Sequence, residues 1–360
     1  MGVNTPVSSP ARAEPSQSDP RTASKPGDRR KASSENQYAS SVASTVAGAL
    51  AGAVSRFATG PLDVLKIRFQ VQLEPVWHAA AQSGRPLVRS KYTSIRQALA
   101  TIIKEEGIQG LWRGTVPGQL LSVPYTAAQF FTVQQSRQLA KRWGVDTHPA
   151  ASFLTGALSG AAGTVASYPF DLLRTTLAAQ GVPRVYNSMA DAAKGIVANN
   201  GPAGLYRGMG ITILEIIPYA ALQFGLYDYF NKCWEAHRAR YPSLPGSKDV
   251  QHLVCGLASG LLAKLATHPL DVAKKRVQVA GLARSTAYGE RVALVATRSL
   301  RGCLADIYRR EGFAGLYKGV APSVLKAGPS AAITFAAYEL FLRWLSVAQE
   351  ARRSEAASGE

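Results

Sequence analysis

The sequence has few of the residues that build disulfide frameworks and metal sites. Its 360 residues include three cysteines, Cys233, Cys255 and Cys303, which lie far apart, and five histidines that show no metal-ligand spacing. Acidic residues are also scarce, since 23 Asp and Glu stand against 41 Lys and Arg, for a formal net charge of +18. A disulfide framework and a CxxC zinc or redox site are therefore excluded. The positive charge indicates anionic partners: nucleic acid, acidic lipid headgroups or phosphate-bearing metabolites.

Strongly apolar runs are also rare. The mean hydropathy of −0.03 suits a soluble protein, although hydrophobic residues make up 46% of the chain. Two windows, residues 114–136 and 149–170, carry no formal charge, and each is long enough to cross a bilayer of about 30 Å. Both are rich in small residues, which suits membrane helices packed closely on one another. Two buried helices of a soluble bundle are the alternative interpretation of these windows alone.

Two sequence motifs recur three times in the same order. The first reads Pro-x-Asp-x-x-Lys/Arg and begins at Pro61, Pro169 and Pro269. The second follows each copy, begins with Glu-Gly or Asn-Gly, and ends with an aromatic residue, a basic residue and a glycine. Two motifs in register, three times over, indicate that the body of the chain consists of three copies of one unit.

Each unit is expected to contain two long helices around a shorter one. The first helix runs through the Pro-x-Asp motif, where the proline removes a backbone hydrogen bond and predicts a kink. The second helix begins at the motif glycine, which is Gly114, Gly208 or Gly319, and contains its own proline. Short amphipathic stretches lie between them near residues 93–105, 187–198 and 301–310. Glycines four apart in the first helices predict close approach of backbones; the pairs are Gly48 and Gly52, Gly156 and Gly160, and Gly256 and Gly260.

These patterns predict an all-α membrane protein of three tandem repeats, each with two transmembrane helices. An even number of spans gives every repeat the same orientation, so six helices with short helices between them can close into a pseudo-threefold bundle. The repeats are placed at residues 40–144, 148–236 and 248–346. Residues 1–39 are expected to form a disordered N-terminal tail, because they are rich in Ser, Pro and charge. Residues 347–360 are expected to form a C-terminal tail.

The repeated motifs resemble those of the mitochondrial carrier family, over residues 40–348. Shorter stretches, at residues 63–70, 178–187, 274–278 and 323–327, resemble family members that carry thiamine pyrophosphate. The resemblance implies a multi-pass exchanger of the mitochondrial inner membrane, with both chain ends facing the intermembrane space and thiamine pyrophosphate as the transported substrate. We expect no enzyme activity, no cofactor and a monomeric protein. The family also binds cardiolipin at the starts of helices, a role that Arg113, Arg207 and Lys318 fit.

The charged motif residues predict a gate at the matrix end. Asp and Lys or Arg three residues apart share one face of a helix, and at the end of a threefold bundle each acid can meet the base of a neighbouring repeat. The expected ion pairs are Asp63–Arg174, Asp171–Lys274 and Asp271–Lys66; pairs within each helix are the alternative. In the family a glutamine nine residues after each proline braces such a pair, which implies this role for Gln70 and Gln278. The middle repeat has Ala178 instead.

The opposite end carries fewer charges that could form a gate. The family places an aromatic-acid-x-x-basic box late in each second helix, and its charged residues here are Arg137, Asp228 and Glu339. Only Arg137 and Asp228 keep a complementary ion pair. We therefore expect the state closed to the cytosol to be less stable than the state closed to the matrix.

Equivalent positions that differ between repeats predict the substrate site. The residues five positions before the prolines of the first helices are Arg56, Thr164 and Lys264. The residues three positions before the prolines of the second helices are Leu121, Glu215 and Lys326. Each of the four charged side chains would cost ~2.5–3.5 kcal/mol if it faced lipid. They are expected to face water, each other or a ligand. The alternative is a structural ion pair, for example Glu215–Lys326.

Three cations and one carboxylate fit a ligand that combines phosphates with a positive charge, as thiamine pyrophosphate does. Arg56, Lys264 and Lys326 are assigned to the phosphates, and Glu215 to the cationic rings. Neighbouring candidates for hydrogen bonding or stacking are Gln129, Gln223, Thr334, Tyr125 and Tyr219, for which a packing role is an equal alternative.

Three other functions fit the sequence less well. A carrier for an adenine nucleotide, coenzyme A or another phosphorylated metabolite has the same cationic requirements. A soluble helical-repeat scaffold would explain the low hydropathy, but not the charge-free spans. An enzyme is disfavoured because the sequence shows no nucleophile–base pair, metal cluster or Rossmann glycine pattern. No nucleic-acid-binding module is recognisable, so nucleic acid is not an expected partner.

Overall fold

The computed structural model describes residues 43–72, 91–144, 149–240, 248–281 and 299–358. The N-terminal tail that the sequence predicts, residues 1–39, lies outside these ranges. Within them all regular structure is helical. The chain divides into two compact units. One runs from Leu50 to Tyr338 and contains every site residue that the sequence predicts except Glu339. The other consists of the chain ends, of which residues 43–49 and 339–358 are described and are helical.

The first repeat contains two interrupted long helices around a short one. Its helices are α1 (residues 43–58), α2 (Gly60–Val71), α3 (Ile95–Glu106), α4 (Thr115–Leu120) and α5 (Ser122–Arg142). A 3₁₀ helix, Ile108–Trp112, connects α3 to α4. The long helices break next to their prolines, at Thr59 before Pro61 and at Leu121 before Pro124, because proline cannot donate the backbone hydrogen bond that would continue the helix.

The second and third repeats follow the same order with longer, continuous helices. The second comprises α6 (Pro149–Ala179), α7 (Met189–Asn200), the 3₁₀ helix Pro202–Tyr206 and α8 (Met209–Arg240). The third comprises α9 (Lys248–Val279), α10 (Leu300–Leu316) and α11 (Val320–Ser358). Each long helix contains its proline, namely Pro169, Pro218, Pro269 and Pro329. Helix α11 continues through most of the segment predicted as a C-terminal tail.

The short helices have well-defined ends that the sequence motifs explain. Ser94, Ser188 and Ser299 cap α3, α7 and α10, and each side chain accepts a hydrogen bond from the backbone N–H three residues on. The glycine of each Glu-Gly or Asn-Gly motif has φ between 68° and 73°, a conformation that strains other residues. The second motif therefore marks the end of α3 and α7, and in α10 it marks a kink at Gly312.

Three helices meet at the end where the sequence predicts the matrix gate. Helix α2 and the C-terminal halves of α6 and α9 each contact the other two. Each also packs through an apolar cluster on the short helix of its own repeat; the cluster around Val64, Leu65 and Ile102 is the largest. The second helix of one repeat packs along the first helix of the next, α5 on α6 and α8 on α9.

The glycine pairs do not bring backbones together as predicted. A Cβ atom added at Gly52, Gly156, Gly160 or Gly260 would meet no atom within 4 Å, and one at Gly256 would only touch Tyr227 at 4.0 Å. These glycines therefore face open space in this conformation. Close contacts occur at other glycines, such as Gly163, where an added Cβ would lie 3.0 Å from the ring of Tyr125.

Large apolar side chains cover much of the outside of the long helices. Phe131, Ile217, Phe224, Leu253 and Phe335 are each at least half exposed, a surface that suits contact with lipid. Among the described residues, length and hydropathy alone select two candidate spans, Pro202–Arg238 and Val250–Val279. The two charge-free windows are not among these, because Ala, Gly and Ser occupy many of their positions.

Candidate gate and substrate site

All three ion pairs that the sequence predicts between repeats are present at the matrix end. Arg174 Nη2 lies 2.5 Å from Asp63, Lys66 Nζ lies 2.8 Å from Asp271, and Lys274 Nζ lies 3.2 Å from Asp171. The acids lie on the faces of α2, α6 and α9 that point at one another, because the motif starts at the same place in each helix. These pairs join each repeat to both others.

Each of the three carboxylates also binds a second cation. Lys326 Nζ lies 2.7 and 2.8 Å from the two oxygens of Asp63. Lys264 Nζ lies 3.0 Å from Asp271, and Lys275 Nζ lies 3.4 Å from Asp171. Lys275 also donates to Thr175 Oγ1 at 2.8 Å and to Gln278 Oε1 at 3.0 Å. Six cations therefore surround the three acids of the predicted gate.

The two glutamines lie where the resemblance implies. Gln70 Nε2 donates to Asp271 at 3.2 Å, and Gln278 Nε2 donates to Asp171 at 2.9 Å. In the middle repeat the fully buried Ala178 cannot make this bond. A small cleft, with a cavity volume of about 10 Å³, lies there, lined by Asp63, Arg174, Ala178 and Arg56, among others. The Asp63–Arg174 pair is therefore the one without a glutamine.

Two candidate substrate cations are already bound to acids. Lys264 bridges Asp271 and Glu215, whose Oε1 lies 3.1 Å from Nζ. The alternative of a structural ion pair therefore holds for Glu215, but its partner is Lys264 and not Lys326, which reaches Asp63. Both lysines are partly exposed, at 29% and 25% of the side chain. Both lysines therefore bind acids while part of each side chain stays accessible.

The third candidate cation joins the same group. Arg56 Nη1 donates to the carbonyl of Gly118 at 3.3 Å and to Ser122 Oγ, and it lines the cleft beside Asp63 and Arg174. The whole group has seven basic and four acidic side chains, an excess of three positive charges; its members are Arg56, Lys66, Arg174, Lys264, Lys274, Lys275 and Lys326, with Asp63, Asp171, Glu215 and Asp271.

The uncharged candidates are less clearly directed at a ligand. The hydroxyl groups of Thr164 and Thr334 donate to carbonyl oxygens of their own helices, at 2.8 and 2.7 Å. Tyr125 packs against Gly163. The side chains of Gln129, Gln223 and Tyr219 are half-buried on α5 and α8. Their ligand contacts remain predictions.

Sequence reasoning missed a second set of buried charges near the gate. Arg68 forms a two-point ion pair with Glu106, and Arg276 forms one with Glu311 at 2.9 and 2.7 Å. Each pair fastens a short helix to the long helix of its own repeat. The middle repeat has Thr176 and Asn200 at the equivalent positions, so both partners change together. That joint change between repeats is the signal that could have found the pairs.

The acid of the third repeat is held in its charged form. Burial favours the neutral form of Glu311, but hydrogen bonds and the charge of Arg276, together with Lys318 at 2.8 Å, outweigh burial. The net effect lowers the pKa of Glu311 below its usual range.

Three arginines also link the repeats through backbone carbonyls. Arg68 of the first repeat donates to Ala178 O and Gln180 O at the end of α6, at 3.0 and 2.9 Å. Arg276 of the third repeat donates to Gln70 O and Gln72 O at the end of α2, at 3.1 and 3.4 Å. Arg207 of the second repeat donates to Ala280 O after α9. The last carbonyls of a helix lack partners within it, so each repeat caps the first helix of another.

The residues suggested for lipid binding are engaged inside the protein. Arg113 pairs with Glu106 at 2.7 Å, Lys318 pairs with Glu311, and Arg207 binds Ala280 O. The side chains of Arg113 and Lys318 are only 12% and 13% exposed. A direct contact of these bases with lipid phosphate would require them to leave their partners.

At the opposite end the predicted ion pair is not formed. Arg137 and Asp228 are both exposed, and no ion pair joins them among the described residues. Neighbouring box residues instead connect α8 to α9: Tyr227 Oη lies 2.8 Å from His252 Nδ1, and Gln251 Nε2 donates to Asn231 at 3.2 Å. In the separate unit of chain ends, Glu339 lies 3.6 Å from Arg343 on its own helix.

The chain matches known proteins over nearly its whole length. The sequence profile of the family described as mitochondrial carrier protein matches three times, over residues 37–142, 145–238 and 246–348. Similar proteins include mitochondrial thiamine diphosphate carrier 1 of Arabidopsis thaliana, 47% identical over 305 residues, and mitochondrial thiamine diphosphate carrier 2 of Zea mays, 45% identical over 304 residues. In both cases 81% of this chain and 90% of the relative are covered.

A more distant relative is the mitochondrial thiamine pyrophosphate carrier of Bos taurus, which is 39% identical over 298 residues, covering 80% of this chain and 88% of the relative. With three matched repeats, ion pairs that join them and relatives aligned over most of their length, the chain belongs to the mitochondrial carrier proteins.

Proposed function

We propose that this carrier, a multi-pass transporter of the mitochondrial inner membrane, exchanges thiamine pyrophosphate into the matrix by alternating access. The observation that carries the proposal is the charge of the site. Three cations and one carboxylate lie beside the gate at the positions where the repeats differ, and the whole group has an excess of three positive charges. The names of the similar plant and mammalian carriers support the same ligand.

The ligand's two charged ends match the two kinds of side chain. Its pyrophosphate would bind Arg56, Lys264 and Lys326, with the arginine able to hold two oxygens at once. Its cationic thiazolium would lie near Glu215, which gains a free oxygen when Lys264 turns to the phosphate. A simple polyanion would gain nothing from this carboxylate, because like charges repel at short range in a site of low dielectric constant.

The gates would then exchange in turn. In the structure the ring of ion pairs is complete at the matrix end, and Arg137 and Asp228 are apart. This arrangement corresponds to the state that is open toward the cytosol and closed toward the matrix. The ligand can favour opening only by binding the open or intermediate states more tightly than the closed one.

The direct test is uptake of labelled thiamine pyrophosphate by purified protein in liposomes preloaded with the same compound. We expect uptake that unlabelled thiamine pyrophosphate competes away at lower concentration than an adenine nucleotide or coenzyme A does. Uptake of a nucleotide in preference to thiamine pyrophosphate would overturn the proposal and favour the other class of phosphorylated substrate.

A substitution tests the role of the carboxylate. Glu215→Gln keeps the size of the side chain but removes the charge that would face the thiazolium. Unlike charges about 4 Å apart attract by about 4 kcal/mol at an effective dielectric constant of about 20, and desolvation offsets part of this attraction, so kcat/KM for thiamine pyrophosphate is expected to fall by about tenfold or more. Uptake of inorganic pyrophosphate or a nucleotide should fall less. Glu235→Gln, at an exposed position of the same helix, is the matched control and should have little effect. Equal losses for both classes of ligand would argue against the assigned role.

Two further expectations belong to this proposal. We propose that the carrier works as a monomer and that cardiolipin binds at the starts of the second helices, at Gly114, Gly208 and Gly319, through backbone N–H groups. The basic residues of the second motif would support these sites through their long-range charge, since they are bound to internal partners.

A further inference from the structure

Lys326 has a position in the gate that no other candidate substrate residue has. Its ammonium group contacts both oxygens of Asp63, while Arg174 contacts Oδ2 of the same carboxylate. Asp63 belongs to the first repeat, Arg174 to the second and Lys326 to the third. A single carboxylate therefore joins all three repeats.

The same carboxylate is the one that lacks a glutamine. Asp271 keeps Gln70 and Asp171 keeps Gln278 in addition to their cations. At Asp63 the equivalent position is Ala178, which lines the same small cleft as Asp63 and Arg174 and offers no hydrogen bond. Lys326 is thus the additional hydrogen-bond donor on the one gate pair that is otherwise held by a single partner.

The equivalent residues in the other repeats cannot play this part. They are Leu121, which has no charge, and Glu215, which is an acid paired with Lys264. Only the third repeat offers a cation at this level of its second helix. The Asp63–Arg174 pair therefore differs from the other two in two ways: it lacks the glutamine, and it has Lys326 as an additional partner.

We propose that Lys326 replaces the missing glutamine as the third member of the Asp63–Arg174 pair, and that an incoming phosphate opens the gate by taking Lys326 from Asp63. The identity of the phosphate compound rests on the proposed function, whereas the role of Lys326 in the empty carrier does not. Moving an ammonium group from a carboxylate to a phosphate keeps it paired. Removing it without replacement leaves a buried charge with one partner fewer, which is costly.

The test measures the gate in the absence of any ligand. Spin labels on Lys104→Cys and Lys194→Cys, which are exposed positions on α3 and α7, report the distance between the matrix helices of the first two repeats. The background carries serine in place of Cys233, Cys255 and Cys303. Pulsed electron–electron distance measurements then give the ratio of open to closed carrier.

Lys326→Met is expected to raise the open-to-closed ratio of the empty carrier by about tenfold, equivalent to ~1.4 kcal/mol. Adding Ala178→Gln should supply the missing hydrogen bond and restore most of the closed population. Lys275→Met is the matched control: it also removes a second cation from a gate acid, but Asp171 keeps Lys274 and Gln278. Ala178→Gln should not rescue that variant.

An open-to-closed ratio that Lys326→Met leaves unchanged would overturn the inference. The inference would also be overturned if Ala178→Gln changed the open-to-closed ratio by the same factor in the Lys326→Met and Lys275→Met variants. The rescue must be specific to the Asp63–Arg174 pair. These readings need no substrate, so they stand whether or not thiamine pyrophosphate is transported.

Inorganic pyrophosphate tests the second half of the proposal. It should shift the unsubstituted carrier toward the open form, and the shift should be several-fold smaller in Lys326→Met, which lacks the group to be taken from Asp63. A shift of the same size in both proteins would show that the anion opens the gate without Lys326.

Discussion

Glu311 tests how much one buried carboxylate contributes to the fold. It receives two hydrogen bonds from Arg276 and an ion pair from Lys318, and its side chain is 1% exposed. Glu311→Gln would remove the counter-charge that these two bases share. Loss of one partner from a buried pair costs about 3–5 kcal/mol. We expect a clear drop in the unfolding temperature of the purified carrier in detergent.

The control for this substitution lies on the same helix. Asp306→Asn removes an exposed ion pair with Arg310, which is worth ~0–1 kcal/mol, so the unfolding temperature should hardly move. Lowering the pH should reduce the difference in unfolding temperature between the wild type and Glu311→Gln. Because the pKa of Glu311 is lowered in the folded protein, its stabilisation is present above the usual glutamate pKa and is lost as the pH falls through the lowered value. A difference that persists well below that pH would contradict the role of the charge.

At the scale of the helices, Arg207 tests the capping of one repeat by another. It holds the carbonyl of Ala280 after α9, although it belongs to the second repeat. Arg207→Gln would leave that carbonyl without its charged partner, at a cost of about 1–3 kcal/mol. Hydrogen exchange should therefore become about tenfold faster in the last turn of α9, and not in the second repeat where the substitution lies.

Arg184→Gln provides the comparison, since Arg184 is an exposed arginine of the same repeat. It should leave exchange in α9 unchanged. If Arg207→Gln speeds exchange mainly around its own position, the contact with Ala280 does not stabilise the helix end.

How much of this arrangement the sequence predicts depends on whether a feature repeats. The pairs Asp63–Arg174 and Asp271–Lys66 follow from one motif in three equivalent helices, so helical spacing and symmetry are enough to predict them. Lys326 on Asp63 breaks that symmetry, and nothing local indicates which acid a long, flexible side chain will reach. The hydrogen bond from Arg207 to the carbonyl of Ala280 could not be predicted either, because it depends on where two helix ends meet.

The prediction about glycines failed for a related reason. Spacing of four residues shows that two glycines share a face, but it does not show what that face meets. Gly156 and Gly160 meet nothing within 4 Å. The contact at Gly163 could not be singled out, because it depends on the position of Tyr125 on the neighbouring helix.

At the scale of the whole molecule, the two ends of the carrier differ in the number of charged contacts that can close them. The matrix end has three acids, six cations and two glutamines in mutual contact. The other end offers Arg137 and Asp228, which lie apart in this conformation. We infer that the empty carrier rests with the matrix end closed, and that closing the cytosolic end depends largely on this one ion pair.

A charge exchange tests that dependence. Arg137→Asp and Asp228→Arg each place two like charges opposite one another when the cytosolic end closes, so each should slow exchange of substrate several-fold at saturating concentration. The double substitution restores opposite charges and should recover much of the rate, which a loss of folding in either single variant could not explain. Initial exchange rates in liposomes, at equal amounts of reconstituted protein, measure the effect. Because the matrix ion pairs are untouched, the unfolding temperature of the empty carrier should stay the same in all three variants. An exchange rate that Arg137→Asp leaves unchanged would show that the cytosolic end closes without this pair.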